Sequence, residues 1–123
     1  IVATLPAPEV SLVPDDVLEW AARPGDPCPT CEALEYELDD RVRVVAETPH
    51  FVALCPWAGR FDHEVWLLPK AHEPRFEVTA DDRLGEFAGL LRRVRLAVGI
   101  ALGRPAYNEV LYSAPVAATR RRD

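Results

Sequence analysis

Two cysteines and a distant histidine have the residue types and the spacing of a metal site. Cys28 and Cys31 form a C-P-T-C motif, and His72 ends a P-K-A-H stretch further along the chain. Two thiolates three positions apart can hold one side of a soft divalent ion, and a distant histidine can add a third ligand. The pattern therefore predicts a zinc site formed by Cys28, Cys31 and His72.

The fourth ligand that a structural zinc site needs is not fixed by this pattern. His50 and His63 are the remaining histidines, and neither has a neighbour at ligand spacing. Cys55 lies in an apolar run and is predicted to pack as a small hydrophobic residue. The metal shell is therefore left with three assigned ligands.

The cysteine pair also has a second interpretation, as a redox-active dithiol. A thioredoxin-type pair follows a strand and opens a helix, whereas a proline-rich stretch precedes Cys28 here. This context favours zinc binding. With three cysteines in all, a full disulfide framework is not expected.

Composition narrows the class of protein. The 123 residues fit one domain, and the net charge of −6 argues against a nucleic-acid binder, which needs a basic surface. No apolar run is long enough to span a bilayer, and no signal peptide is visible, so a cytoplasmic location is predicted. The chain begins at Ile1 and contains no methionine, so we expect a piece of a longer protein.

Hydrophobic periodicity predicts an α+β fold. Apolar runs over 42–47, 51–55 and 64–68 predict three antiparallel strands, and the middle one is apolar on both faces, as a central strand is. A helix capped by Thr79 and stopped by Gly103 follows, and residues 107–112 predict a last strand. The apolar stripe predicted for that helix comprises Leu84, Phe87, Ala88, Leu91, Val94, Ala97, Val98 and Ala101.

These elements predict an antiparallel sheet of four to five strands with one long helix packed on it. Residues 1–27 are expected to be a linker with a short helix over 17–21 and a strand end over 1–4. Residues 28–115 are expected to form the domain that contains the zinc knuckle, the turn from Cys28 to Cys31. Residues 116–123 are expected to be a tail or truncated loop. No phosphate-binding glycine loop or nucleophile elbow is present, so no catalytic residue is assigned.

Three stretches resemble the C-terminal half of galactose-1-phosphate uridylyltransferase, a member of the histidine triad superfamily. They are CPTC from Cys28, RVVAETPHFVALCPWAGRFDHEVWLLPKAH up to His72, and PAYNEVLYSAP up to Pro115. The resemblance implies a histidine-triad-like half in which Cys28, Cys31 and His72 match the zinc ligands of relatives with this cysteine pair. It also implies a fourth ligand from a histidine downstream of the residues present here.

The resemblance implies a double-displacement reaction. A histidine of the other half takes the uridylyl group from UDP-glucose and releases glucose 1-phosphate, and galactose 1-phosphate then accepts the group. That histidine belongs to a His-Pro-His motif that this chain lacks. The implied partners are UDP-glucose and a hexose 1-phosphate in the complete enzyme, an N-terminal half or partner chain, and a second copy in a homodimer.

Two alternatives remain open. Nucleotide-sugar phosphorylases or adenylyltransferases share this motif pattern, and the residues that select the base are not identifiable. The chain is alternatively a non-catalytic zinc-binding scaffold that pairs with a partner chain. A His-Pro-His motif just upstream of Ile1 would favour an enzyme, and its absence would favour the scaffold.

Overall fold

The structure is a computed structural model, and it describes residues 28–73 and 75–113. Its elements in chain order are α1 (Pro29–Asp40), β1 (Val44–Glu47), β2 (Phe51–Leu54), β3 (Trp66–Pro69), a 3-10 turn (Phe76–Val78) and α2 (Asp81–Leu102). The predicted strand over 1–4, the short helix over 17–21 and the tail over 116–123 lie outside the described residues.

The three strands form one antiparallel sheet in the order β1-β2-β3. β2 is the central strand, and all four of its residues are buried. A run that is apolar at every position can only be accommodated where both faces of the sheet are covered. The central position predicted from this run is confirmed.

Each face of the sheet carries its own core. Phe51 and Ala53 contact Phe87, Leu90 and Val94 of α2. The alternate residues of β2 point the other way, since successive side chains of a strand face opposite sides, and they pack with Leu34 of α1. The long helix on one face was predicted, whereas the helix on the other face was not.

α1 escaped prediction because its buried stripe contains a charged residue. Leu34 and Leu38 lie one turn apart on the buried side, but Glu37 beside them is only 6% exposed. Arg43 donates from Nε to both carboxylate oxygens of Glu37, at 2.9 Å each. This bond with Glu37 raises the pKa of Arg43, and it ties α1 to the start of β1.

The end of α2 agrees with prediction and its start does not. Gly103 adopts the left-handed conformation, with φ of 69°, which a residue without Cβ adopts at little cost. Ala80 is the N-cap residue, and the N–H of Thr79 donates to Phe76, so Thr79 closes the 3-10 turn instead. Within the described residues, neither helix is both long and apolar enough to cross a membrane.

The predicted apolar stripe of α2 is partly wrong. Ala88, Ala97 and Ala101 are exposed, whereas Leu90, outside the predicted stripe, is 1% exposed. Alanine is tolerated on either side of a helix, so it weakly marks the buried face. The larger side chains, Phe87 and Val94, mark that face correctly.

The predicted last strand over 107–112 is wrong. The described chain after α2 has no regular secondary structure and does not join the sheet, so the described part has three strands where four to five were expected. Side chains hold it in place of a backbone ladder. Glu109 pairs with Arg95 of α2, and the Tyr112 hydroxyl accepts from Arg60 at 3.0 Å.

Candidate metal centre

The first turn of α1 positions the two cysteines. Cys28 is the N-cap residue, with extended backbone angles (φ −76°, ψ 119°), and Pro29 occupies the start of the helix. Proline suits that position because its fixed φ is helical and its missing N–H would have no partner there. The carbonyl of Cys28 accepts from Glu32 at 3.0 Å, so the turn that carries Cys31 is hydrogen-bonded.

The cysteine motif therefore opens a helix. A helix start is also the setting of redox-active cysteine pairs, so this placement by itself does not separate zinc binding from redox chemistry. The proline-rich stretch before Cys28, which favours zinc, lies outside the described residues. The distinction has to come from His72.

The end of β3 positions His72. Pro69 is the last residue of β3 and pairs with Phe51, and the N–H of Lys70 donates to the carbonyl of His50 at 2.8 Å. This bond extends the antiparallel pairing just beyond the strand. His72 follows two residues later and is exposed.

The structure brings the three predicted ligands together. One donor atom each from Cys28, Cys31 and His72 lies within 4.8 Å of the other two. The Sγ of Cys31 lies 3.2 Å from Nδ1 of His72, across 41 positions of sequence. Metal–sulfur and metal–nitrogen bonds of about 2.3 and 2.0 Å at a tetrahedral angle place two such donors roughly 3.5 Å apart.

The donor chemistry thus fits a tetrahedral, thiolate-binding metal. Two thiolates and one imidazole suit a soft or borderline divalent ion, whereas calcium and magnesium prefer oxygen ligands. No other histidine, cysteine or carboxylate of the described residues completes the group at this spacing. The arrangement can hold an ion through three of the four positions that such a metal uses.

The two thiols titrate differently. Burial raises the pKa of the Cys28 thiol, but hydrogen bonds from Cys31 and Thr30 outweigh this, so its pKa lies below the ordinary value. Burial also raises the pKa of Cys31, and the neighbouring Cys28 and Glu35 raise it further. A bound cation would favour the thiolate form of both.

The other candidate ligands lie elsewhere. Cys55 follows β2 at the end of the sheet opposite to His72, and with His63 it lines an open cleft there. Cys55 is exposed, so the prediction that it packs as a buried residue is wrong. His50 bonds to Glu86 of α2 through both its backbone N–H, at 2.7 Å, and its Nδ1, at 2.8 Å.

The Glu86 carboxylate gives the protein an acid-sensitive contact. The Thr48 hydroxyl and the two bonds from His50 lower the pKa of Glu86 to about 2. The pKa of Glu86 is lower in the folded than in the unfolded chain, so its ionised form stabilises the fold. This stabilisation is complete above the ordinary glutamate pKa and is lost as pH falls towards 2. We expect Glu86→Gln to show a smaller fall in thermal midpoint than wild type between pH 6 and pH 3.

Thermal unfolding followed by circular dichroism at each pH checks this prediction. Asp39→Asn, which removes an exposed carboxylate of α1, is the control and should follow the wild-type pH dependence. Identical pH profiles for wild type and Glu86→Gln would contradict the role of this contact. The comparison between variants is needed because other carboxylates, such as Glu47 and Glu64, also have lowered pKa values.

The segment after α2 is bonded to the connection between β3 and α2, which sequence reasoning missed. The Ser113 hydroxyl accepts from the N–H of Phe76 at 3.2 Å and donates to Glu77 at 2.6 Å. Phe76 follows His72 by four residues. The end of the described segment is thus fixed to the same connection that carries His72.

The chain is a distant homologue of ADP-glucose phosphorylase and galactose-1-phosphate uridylyltransferase. It is 29% identical to the ADP-glucose phosphorylase of Arabidopsis thaliana over 112 residues, which cover 91% of this chain and 30% of that protein. It is 42% identical to the galactose-1-phosphate uridylyltransferase of Thermotoga maritima over 67 residues, or 54% of this chain and 20% of that protein. The resemblance inferred from the sequence is confirmed.

A third relative, the galactose-1-phosphate uridylyltransferase of Haemophilus influenzae, is 34% identical over 61 residues, which cover 50% of this chain and 18% of that protein. The chain thus spans less than a third of the length of these relatives. No family model and no solved structure matches the chain.

Proposed function

We propose that this chain is the zinc-bearing C-terminal half of a hexose-1-phosphate uridylyltransferase. The observation that carries the proposal is the convergence of Cys28, Cys31 and His72 in a homologue of such enzymes. Zinc is the metal that this donor set fits best among common divalent ions. The role of the half is to support the other half, which holds the uridylyl-carrying histidine.

The zinc, when bound, supplies a cross-link of fixed geometry and charge. Cys28 and Cys31 would hold it at the start of α1, and His72 would hold it beyond β3. The site therefore joins the helix on one face of the sheet to the connection that leads to α2 on the other face. In this role the metal orders the scaffold and takes no part in group transfer.

The fourth ligand of this proposed site comes from chain that follows the described residues. The two bonds of Ser113, to Phe76 and Glu77, support this because they fix the end of the described segment to the connection that carries His72. The resemblance implies a histidine at that place. Such a ligand would close the shell, as structural zinc sites require.

The substrates we propose are UDP-glucose and galactose 1-phosphate, with the reaction running through a uridylyl-histidine in the other half. Transfer breaks the bond between the uridylyl phosphorus and glucose 1-phosphate and forms one to histidine nitrogen. The phosphate of galactose 1-phosphate then displaces the histidine. We also propose a cytoplasmic homodimer for the complete enzyme.

ADP-glucose phosphorolysis is the second candidate. The alignment to the Arabidopsis phosphorylase covers 91% of this chain, against 54% for the Thermotoga uridylyltransferase. Higher identity over a shorter stretch favours the first activity, and wider coverage favours the second. The two activities differ in the nucleobase and in the acceptor of the nucleotidyl group. The acceptor is a sugar phosphate for the uridylyltransferase and inorganic phosphate for the phosphorylase.

An assay of the protein expressed with its preceding coding region tests the proposal. Formation of UDP-galactose and glucose 1-phosphate from UDP-glucose and galactose 1-phosphate supports the uridylyltransferase. Formation of ADP and glucose 1-phosphate from ADP-glucose and phosphate would replace it with the phosphorylase. A zinc-loaded, folded protein that performs neither reaction would overturn the enzymatic function and favour the scaffold.

A further inference from the structure

The cysteine pair has the placement of a dithiol that can close into a disulfide. Cys28 stands at the N-cap of α1, outside the helical turn, and Cys31 lies within the first turn. Their sulfur atoms lie within 4.8 Å of each other and of the His72 ring nitrogen. Since Cys28 is not held by helical backbone angles, a side-chain rotation with a small backbone adjustment can bring the sulfurs into bonding distance.

We propose that this pair is a redox switch for the metal site, in which a Cys28–Cys31 disulfide and a bound metal ion exclude each other. The switch rests on the zinc site proposed above. Both thiolates are metal ligands, and a disulfide sulfur carries no charge with which to bind a cation strongly. Oxidation therefore removes two of the three assigned ligands at once, and His72 alone cannot retain the ion.

The oxidation balances with a peroxide as the two-electron oxidant. The thiolate of one cysteine attacks a peroxide oxygen, which breaks the O–O bond and gives a sulfenic acid and hydroxide. The thiolate of the other cysteine attacks that sulfur, forming the S–S bond and expelling a second hydroxide. Two protons from solvent convert the hydroxides to water, and the metal leaves as a divalent cation.

The exposure of the site and the distance to the third cysteine both favour a disulfide between Cys28 and Cys31. Cys28 and Cys31 are half-buried rather than enclosed, and His72 is exposed, so a small oxidant reaches the site. The third thiol, Cys55, follows Leu54 at the opposite end of β2, and β2 pairs with β3 so that His72 lies at the other end. An intramolecular disulfide is therefore expected between Cys28 and Cys31, not with Cys55.

The test uses the zinc-loaded chain, with its zinc content measured first, and a small molar excess of hydrogen peroxide. We expect near-complete release of zinc to a chromophoric chelator, with one disulfide between Cys28 and Cys31 by peptide mass spectrometry. Dithiothreitol followed by added zinc should restore binding. The matched control, Cys55→Ser, alters an exposed thiol at the far end of the sheet and should behave as wild type.

The possible failures are distinguishable. Zinc that stays bound while peroxide is consumed would overturn the switch and leave the zinc site standing. Zinc release with sulfinic acid on the cysteines, or with a disulfide that involves Cys55, would also overturn the switch. A wild-type chain that binds no zinc before oxidation would overturn the zinc site itself, and the switch with it.

Discussion

Removing zinc is expected to lower the free energy of unfolding of this chain by about 4 kcal/mol, if free zinc beforehand exceeds the dissociation constant about a thousandfold. The reason is that Cys28 and Cys31 on α1 and His72 beyond β3 can bind one ion together only in the folded chain. A loss of this size lowers the thermal midpoint of a domain this small by more than about 10 °C. Thermal unfolding with and without a chelator measures it.

Elemental mass spectrometry on the same samples identifies the ligands. Wild type is expected to hold about one zinc per chain, and both Cys28→Ser and His72→Ala should lose it and no longer respond to chelator. His50→Ala is the matched control, because His50 bonds to Glu86 and lies outside the donor group. Full zinc occupancy in His72→Ala would contradict the assignment of the third ligand.

Leu90→Ala is expected to destabilise the protein by about 3 kcal/mol, the usual cost of emptying a leucine-sized space in a packed core. Leu90 is 1% exposed and lies between α2 and the sheet, against Phe51 and Phe87. Its removal leaves a cavity that this short sheet cannot easily close. Urea unfolding followed by circular dichroism, with zinc present throughout, gives the change.

Leu96→Ala provides the matched comparison for this prediction. This substitution removes the same atoms from the same helix, but the Leu96 side chain is 56% exposed. We expect its effect on the free energy of unfolding to stay within about 0.5 kcal/mol, as for most surface substitutions. Equal effects of the two substitutions would mean that α2 does not pack on the sheet through Leu90.

Local patterns in the sequence predicted the elements whose environment is uniform along their length. The apolar run over 51–55 required cover on both faces, and β2 is central with a helix on each side. Gly103 ends α2 because the left-handed conformation there favours a residue without Cβ. In both cases the decisive property belongs to a few consecutive residues.

Segments that depend on side-chain partners outside themselves were predicted poorly. α1 was missed because Glu37 occupies a buried position, which is acceptable only when Arg43 meets it. Residues 107–112 have apolar residues suited to a strand, yet they are held by Arg95 and Arg60 and do not join the sheet. The hydrophobic pattern within each segment contains no sign of these side-chain pairs.

The metal centre divides in the same way. The sequence by itself determined the donor types, the knuckle spacing of Cys28 and Cys31, and His72 as the candidate third ligand. Only the tertiary structure decided that Nδ1 of His72 comes within 3.2 Å of Cys31, and that His50, His63 and Cys55 lie outside the donor group. The physical reason is that the spacing of two cysteines along one helical turn is fixed locally. The approach of Cys31 and His72, which are 41 positions apart, depends on how α1 packs on the sheet, and the sheet itself forms by strand pairing.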